Sequence, residues 1–150
     1  FLTRGFLNRK ARGEVSAEEL ASVIAHELGH VAQGHMRRRM IDFTGQNAVF
    51  VMLSALLNRV LPVVGIWLAN LISTALMARL SRRDEFEADA YASALLIKAG
   101  IGTGPQKSLF RKLDALSGSR AEGVPAWLLS HPGVEERIAA IEANEARWLG

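Results

Sequence analysis

His26-Glu27-Leu28-Gly29-His30 is the stretch on which the reading of this chain turns. It lies inside a run with helical spacing. Histidines four apart on a helix are about one turn apart, so both rings leave from one face and can reach a single Zn²⁺. Glu27 stands beside them, where a carboxylate can deprotonate a metal-activated water. The plainer reading is a solvated helix on which these residues fall together by chance, so the surrounding sequence has to decide.

Toward the N-terminus, Ser16-Ala17-Glu18-Glu19 predicts a helix start with a capping box between Ser16 and Glu19. Leu20, Val23, Ile24, Leu28 and Val31 give a buried stripe, with the histidines on an adjoining face. Gly29 suggests a closely approaching neighbour or is simply a tolerated Gly, at a cost of up to about 1 kcal/mol in a helix interior. Phe1–Leu7 reads as the end of a strand and Asn8–Gly13 as a solvated loop. His35 is read as a surface histidine. Arg37-Arg38-Arg39 reads as a solvated helix end or as a contact with an anionic membrane.

Toward the C-terminus, Asp42–Asn47 is expected to break the helix at Thr44 and Gly45. Residues 48–80 are strongly apolar and read as two helices joined near Asn58–Pro62. They favour a buried or membrane-surface hairpin over a true span. Ser81 is read as the N-cap of a further helix on which Glu85 and Asp89 share a face. A catalytic zinc needs a third protein ligand, which Glu85 can supply. Asp89 can accept the free N–H of His26 or His30 and fix its tautomer. The plainer reading pairs these acids with Arg82 and Arg83, and Glu87 is left on that solvated face.

Gly100 reads as a C-cap and Pro105 as a first-turn residue of the next helix, whose Leu109, Phe110, Leu113 and Leu116 form a core stripe. Trp127-Leu128-Leu129 reads as an apolar anchor. His131, pinned by Pro132, is a candidate donor to a transition-state oxyanion or a fourth metal ligand; otherwise it is a helix-entry histidine bonded to backbone. Arg137 can orient a carboxylate, but pairing with Glu135 or Glu142 is the favoured reading. Ile138, Ile141, Trp148 and Leu149 are expected to form the buried side of the last helix.

The chain has 150 residues, enough for a single domain with its own core, and 49% of them are apolar. It has no cysteine, which excludes disulfides and thiolate metal ligands. The net charge of +3 suits anionic surfaces, but no nucleic-acid motif accompanies it and there is one tyrosine for base stacking. The first residue is Phe and no signal-peptide pattern opens the sequence, so the chain is expected to be a fragment or processed form.

His26-Glu27-Leu28-Gly29-His30 with Glu85-Phe86-Glu87-Ala88-Asp89 resembles the zinc metallopeptidase family that includes HtpX, the CAAX prenyl endopeptidases and the Oma protease. That family pairs H-E-x-x-H with a later E-x-x-A-D. Thr3-Arg4-Gly5-Phe6-Leu7 is similar to its T-R-G-L-L, and Ser130-His131-Pro132 with Arg137-Ile138 extends the likeness near the end. The resemblance implies an α+β, predominantly helical, zincin-like (gluzincin) domain over 1–150, with a small N-terminal sheet and an apolar helical hairpin insertion. It implies one Zn²⁺ held by His26, His30 and Glu85, Glu27 as catalytic base, Asp89 behind the ligands and His131 near the site. The expected activity is that of a metalloendopeptidase on peptide or unfolded protein in envelope quality control, periplasmic or membrane-associated in a bacterium. Family members usually carry a further strand and hairpin upstream of the T-R-G turn, a segment this chain is expected to be missing. The alternatives are a metal-stabilised binding or chaperone-like module, and a protease fragment whose hairpin spans a bilayer.

Overall fold

The computed structural model describes residues 4–62, 64–118 and 133–149. Among them are six helices and no strand: α1 (Arg4–Ala11), α2 (Ala17–Ala32), α3 (His35–Val60), α4 (Val64–Lys98), α5 (Gly104–Gly118) and α6 (Val134–Leu149). The expected N-terminal sheet is therefore corrected: residues 4–11 are helical. No strand among the described residues lies ready to pair with that segment, and a helix satisfies the backbone internally.

The chain forms two compact units, one of Phe1–Gln33 with Glu85–Gly150 and one of Gly34–Asp84. In the first, Phe6 of α1 and Val15 pack with Val23 of α2 and with Leu109 and Leu113 of α5. Phe110 packs with Ile138 and Ile141 of α6. Ala25, Ala92 and Leu96 join α2 to the last part of α4. Trp148 and Leu149 are exposed, contrary to expectation.

The capping box forms as read: Glu19 N donates to Ser16 Oγ at 3.1 Å and Ser16 N to Glu19 Oε2 at 2.8 Å. The buried side of α2 is another matter. Ile24, Leu28 and Val31 are exposed, whereas Ser22, Ala25, His26 and Gly29 are buried. The cause is the approach of α4: a Cβ on Gly29 would lie 2.8 Å from the Ala88 carbonyl oxygen and 2.9 Å from its Cα. Bulky side chains have no room on that side, so small residues and the histidines take it.

The break expected at Asp42–Asn47 falls instead at Gly34, whose φ of 67° ends one helix before α3 begins. Thr44 stays helical, its hydroxyl donating back to the Met40 carbonyl at 3.1 Å. Likewise α4 runs straight through Ser81. The turn between α3 and α4 falls where the sequence placed it. Gly100, at φ 74°, follows the end of α4, and Pro105 sits in the first turn of α5.

In the second unit, a Cβ on Gly65 would lie 2.5–2.7 Å from Leu57 and Asn58 backbone atoms, so α3 and α4 touch directly beside their turn. At the other end Arg38 donates to Asp84 at 3.1 Å, and Arg39 and His35 lie 3.6 and 3.8 Å from it. His35 is buried, not a surface histidine. Both α3 and α4 are long and apolar enough to cross a membrane, by length and composition.

Candidate metal centre

The capped helix α2 carries His26 and His30 one turn apart, and the last part of α4 carries Glu85 and Asp89 one turn apart. The Gly29–Ala88 contact brings the two helices close enough for these four side chains to meet. Ala88 is fully buried beside them.

His26 Nε2 lies 3.1 Å from His30 Nε2 and 3.3 Å from Glu85 Oε2, and His30 Nε2 lies 3.5 Å from Glu85 Oε1. Ligand atoms around a tetrahedral Zn²⁺ with bonds near 2.0–2.1 Å are separated by about 3.3 Å. The observed triangle has that size, and its two imidazoles and one carboxylate form a zinc-type donor set. The three side chains thus fit a metal ion.

Behind them is a buried charged network. His26 Nδ1 lies 2.8 Å from Asp89 Oδ1. With the proton on Nδ1, His26 donates to Asp89 and its Nε2 lone pair faces the triangle. Arg137 of α6 donates from Nε to Asp89 Oδ2 at 2.6 Å and from Nη2 to Asp89 Oδ1 at 2.8 Å. Its Nη2 also approaches Glu85 Oε2 at 3.7 Å, and its guanidinium lies 4.3 Å from the Phe110 ring centroid. Gln106 of α5 donates weakly to Asp89 Oδ1 at 3.4 Å and accepts from Ser93 at 2.9 Å.

Burial by itself would raise the Asp89 pKa, but the hydrogen bonds from Arg137 and His26 outweigh it and hold the carboxyl below its usual range. For His26, burial would lower the pKa; the hydrogen bonds to Asp89 and Glu85 outweigh it and raise it. Metal and proton therefore compete for this ring.

Of the residues singled out from sequence, the structure brings His26, His30, Glu85 and Asp89 together. Of the two partners proposed for Asp89, the structure selects His26 over His30. Glu27 lies on α2 between the histidines and is half-buried. His131 and the anchor Trp127-Leu128-Leu129 lie outside the described residues. Arg137 is the correction: it is 1% exposed and grips Asp89, and does not pair with Glu135 or Glu142. Sequence reading gave no role to Gln106 or Ser93. Once Asp89 is buried a cation has to accompany it, but the sequence does not show that burial or which cation answers it.

A family model described as peptidase family M48 matches residues 1–145. The chain is 34% identical over 123 residues to the metalloprotease LoiP of Escherichia coli (strain K12), covering 82% of this chain and 48% of that protein. It is 34% identical over 123 residues to the metalloprotease YcaL of the same strain, covering 82% and 47%. With protease HtpX of Pseudomonas aeruginosa (strain LESB58) it shares 28% identity over 178 aligned positions, covering 95% and 57%. The chain thus spans about half the length of these curated relatives. No solved structure matches it.

Proposed function

The chain belongs to peptidase family M48, and from that premise we propose that residues 1–150 act as a zinc metalloendopeptidase domain on peptide or unfolded protein at the cell envelope. The observation that carries the reading is the triangle of His26, His30 and Glu85 donor atoms at 3.1–3.5 Å, backed by charged Asp89 and Arg137. The exposed apolar helices α3 and α4 support the envelope setting.

His26, His30 and Glu85 would hold the ion. Bound there, Zn²⁺ supplies Lewis-acid polarisation of the scissile carbonyl and lowers the pKa of the attacking water. Glu27 accepts the proton of that water and passes it to the leaving amine. Asp89 fixes the His26 tautomer, and Arg137 keeps Asp89 ionised. His131 donates to the developing oxyanion.

A structural zinc in a binding module would take four protein donors and need no base. The described centre offers three, with Glu27 next to His26 in the chain. The test is zinc content and casein cleavage, with and without chelator, for the parent and Glu27→Gln. About one zinc per chain in both proteins is expected. Cleavage should be chelator-sensitive and fall by roughly 10²–10⁴ in the variant. Equal cleavage by the variant sinks the mechanism, and a zinc-free parent sinks the metal.

A further inference from the structure

Helix α3 begins without an anion of its own. Gly34, which precedes it, makes no side-chain cap, and no acid stands in the first turn. His35, Arg37, Arg38 and Arg39 stand there instead, against the sense of the helix dipole. The missing negative charge arrives from a residue 46 positions beyond Arg38. Asp84 of α4 accepts a hydrogen bond from Arg38 Nη1 at 3.1 Å, and Arg39 Nε and His35 Nε2 lie 3.6 and 3.8 Å from its oxygens. Asp84 is 2% exposed and His35 1%, so the carboxylate is buried among cations and fastens α4 to the start of α3.

Helix α4 runs unbroken from Asp84 into Glu85, the third side chain of the candidate metal centre. Arg137 holds Glu85 less firmly than it holds Asp89 one turn on. Its Nη2 stands 3.7 Å from Glu85 Oε2, beyond hydrogen-bond range, whereas Nη2 and Nε reach Asp89 at 2.8 and 2.6 Å. An anchor at Asp89 alone leaves α4 able to roll. A roll of about 10° carries a carboxylate about 6 Å from the helix axis through about 1 Å, and metal–ligand bonds tolerate about 0.2 Å. Asp84 leaves the helix roughly 140° around from Asp89, so its grip on α3 opposes that roll from another side.

From this second anchor we infer that Asp84 is a positioning residue: clamped by Arg38, it fixes the rotation at which α4 presents Glu85 to the metal. Asp84 acts through the helix backbone and not on the ion or the substrate. The inference rests on reading His26, His30 and Glu85 as ligands, and Glu27 plays no part in it.

The test compares the full parent chain with Asp84→Asn, Arg38→Met, the two together, and Arg38→Lys. Zinc affinity is measured by competition with a chromophoric chelator, and ligand geometry by the visible absorption of the cobalt-loaded proteins. Asp84→Asn and Arg38→Met should each weaken zinc binding about tenfold and alter the cobalt bands. The double variant should be no worse than either alone, and Arg38→Lys should keep most of the parent's affinity. Casein cleavage should lose kcat with KM unchanged. The Arg38 side chain is 38% exposed, so its variants spare the fold even where Asp84→Asn does not. A purely structural clamp would lower the melting midpoint and leave zinc affinity and cobalt spectrum as in the parent; that result would overturn the inference. So would a loss of affinity in Asp84→Asn that Arg38→Met does not share. A parent that binds no zinc sinks the ligand reading together with the inference, whereas unchanged variants of a zinc-binding parent sink the inference alone.

Discussion

Replacing Arg137 by Met tests whether the α6 guanidinium holds the centre together. Met keeps much of the volume and the contact with Phe110 while deleting two hydrogen bonds of 2.6 and 2.8 Å to Asp89. Asp89 is 1% exposed and would keep His26 at 2.8 Å and the weak Gln106 bond at 3.4 Å. Removing one partner of a buried ion pair costs about 3–5 kcal/mol. The lost ring contact, about 0.5–2 kcal/mol, is shared with that change and is not added to it. For a chain of 150 residues each kcal/mol moves the midpoint by about 2–4 °C, so the metal-free variant should melt roughly 6–20 °C lower. Zinc affinity, measured by competition with a chromophoric chelator, should weaken by about 10–100-fold because Asp89, the partner of His26, is no longer itself held in place. Arg137→Met combined with Asp89→Asn should be more stable than Arg137→Met alone, because the uncompensated charge is gone. A midpoint within 2 °C of the parent, with a coupling below about 0.5 kcal/mol in the double-mutant cycle, would refute the account of Arg137 as the charge that balances Asp89.

Gly29→Ala places a Cβ 2.8 Å from the Ala88 carbonyl oxygen, so α2 and α4 must part. A loss of about 1–3 kcal/mol in urea unfolding and weaker zinc binding are expected; a stability gain from the better helix former would contradict the close approach. Glu19 is held below its ordinary pKa: burial opposes this, but hydrogen bonds from Lys112, Ser16 and Ser108 prevail. Its contribution is therefore present above the unfolded value near 4.5 and lost as pH falls through the lower folded value. Glu19→Gln should cost about 1–2 kcal/mol at pH 7, with the gap to the parent closing in acid; a gap unchanged at pH 3 would contradict it. Chelation of the zinc-loaded protein should lower its melting midpoint, by the equivalent of about 2.7 kcal/mol at a hundredfold excess of zinc over its Kd. A midpoint indifferent to chelator would mean that no ion is bound to the native state.

What sequence revealed correctly was mostly what one helix decides by itself. The Ser16–Glu19 box, the His26–His30 face, the Glu85–Asp89 face, Gly100 and Pro105 are all set within a turn or two. Failures came where partners or propagation outvoted a local pattern. Ser81 followed by acids looks like an N-cap, yet the helix already running from Val64 has no reason to stop there. Phe1–Leu7 was too short to show a period, and residues 4–11 are helical. Ile24, Leu28 and Val31 were assigned to the core on bulk, when a backbone contact at Gly29 had selected the small side. Arg137 lies 48 residues beyond Asp89, a separation at which spacing carries no information.

The same separation orders the making of the centre in time. Synthesis delivers His26 and His30 first, then Glu85 and Asp89, and the guanidinium that balances them last. A growing chain that has completed α4 but not α6 has His26 to meet Asp89 but not the guanidinium that takes both of its oxygens. The final helix closes the circuit, so a chain cut off before residue 137 has every expected metal-binding side chain and lacks the charge that sets them in place.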